Sequence, residues 1–408
     1  MALPIIAFSK DWHEDPTSNH HVLRELAKTR RVLWLNSLAT RKPNITNARD
    51  LGKIKRKLRE FGQGAVNVEN DLWVATPLVL PLPQSELANK LNRQILRLTV
   101  RALRAQLGID KFHLVTFLPN TAPYVGTLGE DMAIYYCVDE WATFPGLDRE
   151  GTIAMERALL EKVDATFTTS LALRDKKAAH CKHTFLAPHG VDYAKFAKAV
   201  DDNLEVPADL AALPGKKIGF FGTLRDFLDY ELMAHIAKAR PDWSLALIGQ
   251  ELCDIGPLKG LPNVHLLGQK KHDELPAYCK GFDVGLIPYR IDNDVKFINP
   301  LKLREYLSAG LPVVSTDMPE VQPYAHLCRI GKTGDELVAA IEKALAENSR
   351  EERLKRAKSM ESETWQARVG SVMRVVEQFE ARKTQTATDD LIGAFPISES
   401  LSTANAAV

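Results

Sequence analysis

The sequence predicts an α/β protein of two Rossmann-like lobes, each a mostly parallel sheet covered by helices on both faces. Length is the first reason: 408 residues exceed what one ordinary hydrophobic core organises. The second is alternation, because short β-branched or aromatic runs recur and a longer helical pattern follows each. The third is that the series restarts after a stretch rich in proline, glycine and acids.

In the first half the runs are Ile5–Phe8, Arg31–Leu35, Leu72–Ala75, Phe112–Phe117, Ala133–Cys137 and Ala165–Thr169. In the second they are Lys217–Phe221, Ser244–Ile248, Val264–Leu267, Val284–Ile287 and Pro312–Ser315. Near-continuously apolar strands spaced by helices read as parallel sheets buried on both faces. The restart places domains at 1–187 and 216–360, with a linker at 188–215 holding Pro188, Gly190, Pro207 and Pro214. A last helix at 361–382 follows the second sheet. The tail 383–408, rich in Thr, Ser and Ala, has little to bury and is expected to be disordered.

Composition narrows the function classes. Fifty-three basic against fifty-two acidic side chains give a net charge of +1, so no overall field suits nucleic acid. Five cysteines without a C-x-x-C spacing argue for reduced thiols in a cytoplasmic setting and against a zinc site. Met1–Phe8 lacks the basic start and cleavage site of a signal peptide, and no apolar run nears eighteen residues, so a soluble or peripheral protein is expected.

Ligands of open parallel sheets collect outside the carboxyl ends of the strands. In the second half three successive ends carry a glycine: Gly222-Thr223-Leu224-Arg225, Gly249-Gln250 and Gly268-Gln269. One glycine is only a turn, but three in succession clear space along one rim. Val284–Ile287 leads to Pro288-Tyr289. Then Asn299-Pro300-Leu301-Lys302 reads as an N-cap, a proline at the first helical position and a first-turn lysine, aiming a positive helix end at the same rim. Glu305 lies three residues on along that face. Arg225, Lys302 and the Thr223 hydroxyl suit a phosphate, and the Glu305 carboxylate suits sugar hydroxyls. The bland alternative is a capped helix with a lysine–glutamate pair in water.

The segment 300–314, P-x-K-x-x-E-Y-x-x-x-G-x-P-V-V, resembles the donor-site signature of GT-B glycosyltransferases of the family 4 or group 1 type. It looks most like the branch that builds bacterial surface polysaccharides, including teichuronic acid glycosyltransferases. Ala187–Asp192, Lys217–Arg225 and Asn263–Tyr289 fit the same branch, so the resemblance covers roughly residues 185 to 345. It implies two lobes facing across a cleft, with the last helix crossing back to the first lobe. It also implies a nucleoside-diphosphate sugar as donor, with Lys302 at the diphosphate, Glu305 at the ribose and the backbone of 268–270 at the base. Two positions depart from the pattern. Phe297 stands where the family has a first glutamate, and Asp229 and Tyr230 follow Arg225 where a lysine is expected.

The first half would supply the acceptor side. Lys10, Asp11 and Trp12 follow the first strand, with Trp12 a platform for a sugar ring. Asp139 follows a strand that should end at the rim, where partial shielding would suit a general base; a surface helix cap is the equal alternative. His113 is the second candidate base, against a core histidine inside an apolar strand. No D-x-D-like pair stands at a strand end, so no cofactor or metal is expected to be required. Between Arg41 and Glu60 eight Lys or Arg oppose two acids, and Lys90, Arg93, Arg97, Arg101 and Arg104 recur at near-helical spacing beside leucines. Either these are solvated helix faces, or they rest on an anionic membrane near a lipid-linked acceptor. A sugar-nucleotide epimerase of the same fold and a non-catalytic nucleotide-sugar-binding partner subunit stay open beside the transferase. A dehydrogenase does not, because no G-x-G-x-x-G follows any strand.

Overall fold

The computed structural model describes residues 2–385 except 15, 39–47, 83–84, 145, 202 and 293. The chain divides into two compact units, one of Met1–Pro188 together with the chain from Val369 onward, the other of His189–Arg368.

The first unit runs β1 (Ile5–Phe8), α1 (Ser18–Ala27), β2 (Val32–Leu35), α2 (Ala48–Phe61), β3 (Val66–Glu69), β4 (Leu72–Ala75) and α3 (Glu86–Leu107). It continues with β5 (His113–Thr116), β6 (Met132–Cys137), α4 (Arg149–Leu160), β7 (Ala165–Thr168), α5 (Leu171–Ala178) and β8 (Thr184–Leu186). The eight strands lie in the order β3-β4-β2-β1-β5-β6-β7-β8, and all are parallel to their neighbours except the edge strand β3. The central strands are IIAF, VLWL and MAIYYC, buried at every position, as a sheet covered on both faces requires.

The second unit begins with the short helices α6 (Tyr193–Phe196) and α7 (Ala208–Ala211), then β9 (Lys216–Phe221), α8 (Tyr230–Ala239), β10 (Trp243–Ile248), β11 (Val264–Leu266) and α9 (Leu275–Gly281). There follow β12 (Val284–Ile287), α10 (Leu301–Ser308), β13 (Val313–Thr316), β14 (Cys328–Gly331), α11 (Gly334–Ala346) and α12 (Arg350–Ser359); α13 (Trp365–Gln385) starts in this unit and from Val369 onward belongs to the first. Its six strands are all parallel, in the order β11-β10-β9-β12-β13-β14. Numbered along the chain this is 3-2-1-4-5-6, the doubly wound arrangement, and the strand order reverses between β9 and β12.

Several expectations need correction. β3, β8 and β14 are strands the sequence reading did not anticipate. The stretch 188–215, expected as a loose linker, is packed: Phe196, Ala199 and Leu210 belong to the core of the second unit. The last helix starts at Trp365 instead of 361, after a separate α12. Of the tail, 383–385 continue α13, and 386–408 lie outside the described residues, as do 41–47 of the basic stretch.

Candidate functional site

The crossover point of the second unit lies where β9 and β12 diverge, and the residues leaving these strands converge there. Gly222 adopts φ 139° and Gly249 φ 150°. The Gly222 N–H donates to the Ile248 carbonyl at 2.8 Å, and the Gly249 N–H to the Gly268 carbonyl at 2.9 Å. A Cβ on Gly249 would stand 2.0 Å from the Gly222 carbonyl oxygen, so only glycine permits these exits to run so close. Residues 222–229 are then pinned on both sides. Leu224 N–H donates to Gln250 at 2.9 Å, and Asp229 N–H donates to Pro288 at 2.9 Å. The Tyr230 hydroxyl donates to the Arg225 carbonyl at 2.9 Å.

Two cations belong to the segments that meet at this rim, Arg225 on the exit from β9 and Lys302 on α10. Arg225 and Lys302 are half-buried, and neither has an acidic partner among the described residues. Lys302 comes from the first turn of α10, whose Leu303, Tyr306 and Leu307 are buried at helical spacing while Lys302 and Glu305 stay on the open side. Its Nζ would stand 2.7 Å from a Cβ on Gly222 and lies 5.5 Å from the Phe220 ring centre. The Tyr306 hydroxyl accepts the Phe221 N–H at 3.0 Å, which fixes α10 to the end of β9.

Glu305 is held by a chain of groups that sequence reasoning missed. The Lys195 ammonium donates to His272 Nδ1 at 3.3 Å and to Asp273 at 2.7 Å. Because an ammonium only donates, Nδ1 is the acceptor and His272 Nε2 carries the hydrogen, which it donates to Glu305 Oε1 at 3.3 Å. Oε2 accepts from no protein group among the described residues. Nothing in local spacing signals this chain, since its members lie 33 and 77 residues apart.

Other expected members of the site are differently placed. Asn299 does not cap the helix: Pro300 is the N-cap, and the Asn299 side chain accepts from Arg304 at 2.7 Å and donates to Glu320 at 3.0 Å. The buried Arg304, which also donates to Tyr324 at 2.8 Å and pairs with Glu363 at 3.4 Å, takes the Asn299 oxygen to satisfy its remaining buried N–H, so the cap is forgone. Leu301 opens the helix and Thr223 sits half-buried beside Gly222. Tyr289 is buried against Phe227 at 4.9 Å, and its carbonyl accepts from Thr316 at 2.7 Å, so it serves packing. Gly268 gives its carbonyl to Gly249, and Gln269 beside it is exposed. Lys270 is paired with Asp209 at 2.6 Å, which also accepts the Tyr278 hydroxyl at 3.0 Å. Phe297 is buried, and Asp229, where a family lysine was expected, caps α8 by accepting the Leu232 N–H at 2.9 Å.

In the first unit the equivalent reversal lies between β1 and β5. Lys10, Asp11 and Trp12 stand there, but two of them are committed to the fold. Asp11 accepts from Ser37 Oγ at 2.7 Å and Arg56 at 2.8 Å, with Lys57 at 3.4 Å. Burial alone would raise its carboxyl, but Lys57, Ser37 and Arg56 together hold it below its ordinary value. Trp12 is no open platform: its ring packs against His20 at 5.3 Å and edge-on to Trp34 at 5.2 Å, under the Arg24 guanidinium. His20 is pushed down to about 4 by burial. Lys10 is half-buried, with Glu14 at 3.9 Å.

Asp139 follows β6. It is half-buried, its carboxylate has no hydrogen-bond partner among the described residues, and burial pushes it up to about 7. Its neighbour Glu140 is the opposite case. Burial works against its charge, but Lys177 at 2.8 Å and Lys176 at 3.0 Å hold its carboxyl below its ordinary value. His113 is a core histidine, as its apolar strand suggested. It opens β5 at the amino end, is buried, and bonds through Nε2 to Glu380.

Two parallel-sheet units in one chain define the class, an α/β protein with the GT-B fold of its structural neighbours. Residues 215–350, within the second unit, match the family described as glycosyl transferases group 1. A Bacillus subtilis protein named as a teichuronic acid biosynthesis glycosyltransferase (TuaH) is 29% identical over 244 residues, 54% of this chain. The match spans 60% of that relative's length. Among solved structures, sucrose-phosphate synthase from Thermosynechococcus elongatus superposes with a TM-score of 0.66 at 16% identity, covering 93% of this chain and 100% of that one. Anabaena HepE in complex with UDP and glucose gives 0.64 at 12% identity, with 93% and 100% coverage. At such identities the likeness shows the fold.

Proposed function

We propose that this chain transfers a sugar from a nucleoside-diphosphate sugar to a hydroxyl of a glycan or lipid-linked glycan in cell-surface polysaccharide synthesis. The observation that carries this is the pair Arg225 and Lys302, two cations without acidic partners among the described residues, beside three glycine-bearing strand exits. Such a pair suits a diphosphate twice over. It binds the anion in the ground state, and it stabilises the charge that grows on the leaving group as the glycosidic bond breaks. The free oxygen of Glu305 is suited to accept from a ribose or sugar hydroxyl. The UDP and glucose bound to HepE, a protein of the same fold, support a donor of this class, and the teichuronic acid role given to the Bacillus relative supports a surface polymer.

The reaction on this reading is retaining and requires no cation, because protein groups already supply the positive charge. In a retaining course the departing diphosphate oxygen takes the acceptor proton. Where a protein base acts, Asp139 is the group assigned to it, with its carboxyl at about 7 and unpartnered. The five free cysteines fit a reducing cytoplasm, and with a lipid-linked acceptor the protein would work at the inner face of the membrane. One observation favours a second reading, a donor-binding partner subunit without turnover: Phe297 is buried where the family has a glutamate.

Thermal melts with a panel of nucleoside diphosphates and their sugars, with and without EDTA, test the donor site. A ligand at one hundred times its Kd adds about 2.7 kcal/mol of stability. The expected outcome is a shift with one diphosphate that survives EDTA. Lys302→Ala should then weaken binding by roughly 10- to 100-fold, the worth of a hydrogen bond to a charged group. No shift with any nucleotide would remove the transferase reading, and binding without sugar transfer would favour the partner subunit.

A further inference from the structure

The helix α2 is turned inside out. Three of its charged side chains point inward: Arg56 meets Asp11 at 2.8 Å, Lys57 meets Ser37 Oγ at 3.2 Å and Glu60 accepts from Thr76 at 2.8 Å. Asp11, Ser37 and Thr76 follow β1, β2 and β4, so α2 lies across the carboxyl edge of the first unit's sheet. Its apolar stripe, Ile54, Leu58 and Phe61 at helical spacing, is exposed, with Leu58 at 55%. An amphipathic helix ordinarily buries that stripe. At the same edge the connection from β4 to α3 exposes Leu80 and Leu82, and the start of α3 exposes Leu87 at 70% and Leu91.

Cations stand among these leucines. Lys55, Arg59, Lys90 and Arg97 are exposed, and none has an acidic partner among the described residues. Apolar side chains interleaved with free cations match the boundary of an anionic bilayer, where the leucines enter the headgroup region and the cations meet lipid phosphates. A protein partner would leave those charges to be matched one by one; a lipid surface matches them wherever they fall. No helix among the described residues is long and apolar enough to cross a membrane, so this contact would be peripheral.

We infer that the carboxyl edge of the first unit, formed by the outward face of α2 and the start of α3, docks on an anionic membrane surface. This deepens the peripheral reading above and rests on it, and it orients the acceptor-side edge toward a lipid-borne hydroxyl.

Sedimentation of the full chain with vesicles of phosphatidylcholine, alone or mixed with phosphatidylglycerol, tests the surface. The protein is expected to pellet with the mixed vesicles only and to be released by salt. Two variants probe the two components: Ile54→Ser/Leu58→Ser/Phe61→Ser, and Lys55→Gln/Arg59→Gln/Lys90→Gln. Each should lower partitioning on the order of a hundredfold, with circular dichroism and nucleotide-induced thermal shifts unchanged. Failure to pellet with mixed vesicles, or unchanged partitioning in both variants, overturns the surface. So does a solution dimer that the serine variant abolishes. The nucleotide shift reads the donor site separately, so loss of either result leaves the other interpretable.

Discussion

Asp139 couples stability and activity in opposite directions. Its carboxyl titrates near 7 in the folded chain and near 3.9 when unfolded, so the folded state binds the proton more tightly. Stability therefore falls as pH rises between those values, and above about 7 the folded protein carries a desolvated carboxylate with no partner. Holding the proton up to about 7 corresponds to about 4 kcal/mol, and partial exposure reduces this to roughly 2 kcal/mol. Asp139→Asn should thus leave the melting midpoint unchanged at pH 4 and raise it at pH 8. If Asp139 is the base, the same variant should lose on the order of a hundredfold in transfer rate. Its pH–rate profile should also lose the rise centred near 7. Melts at the two pH values beside a rate profile separate the outcomes: stabilisation without loss of rate would make Asp139 a strained bystander. The partners of Asp11 and His113 were not legible in the sequence, because they lie in other elements. Asp11 is neutralised by Arg56 45 residues away, and His113 meets Glu380 across 267 residues.

Elements were more legible than their partners. Strands such as WSLALI and VVST announce themselves because a buried parallel strand must be apolar on both faces. β3 escaped notice because VNVE is an exposed antiparallel edge, and β8 because it is only three residues long. The lysine of α10 could be read from its place after the strand-end glycines, whereas the role of Asn299 turned on a buried arginine that no local rule reveals. The same blindness hid the cluster that fixes the loop bearing Asp139. Lys177 of α5 is buried between Glu140 and Glu156 of α4 at 2.8 and 2.6 Å, and the Tyr135 hydroxyl of β6 donates to Glu156 at 2.8 Å. The three elements are thus tied through one ammonium. Lys177→Met should lower the unfolding free energy by about 3–5 kcal/mol in denaturant titrations, because it leaves two buried carboxylates with only Lys176 at Glu140 and the Tyr135 hydroxyl at Glu156. Replacing Lys177, Glu140 and Glu156 together by apolar residues should cost far less. Equal losses in both would mean that packing volume, not charge, holds these elements.

At the scale of the whole molecule, the chain returns to its first unit after completing the second. The later part of α13 supplies that unit with groups it has no other source for. Glu380 bonds the buried His113, Glu377 lies 3.9 Å from the buried Arg30, and Phe379 meets His183 edge-on at 4.8 Å. Val376 adds a buried apolar side chain. Ending the chain at Arg368 would leave two buried cationic or polar groups without these partners, each costing about 1–3 kcal/mol, and would uncover apolar core. The second unit, holding the family match at 215–350 together with Arg225, Lys302 and Glu305, loses none of its own residues. The truncated chain should therefore melt in two steps, the first well below the single midpoint of the full chain. The nucleotide-induced shift should persist in the second step, and vesicle binding should disappear with the first. Differential scanning calorimetry with and without the nucleoside diphosphate reads both. Two separate steps would make donor binding a property of the second unit alone. A single collapse that abolishes the nucleotide shift would mean that the second unit draws its stability from the first, and that the returning helix supports both halves of the reaction.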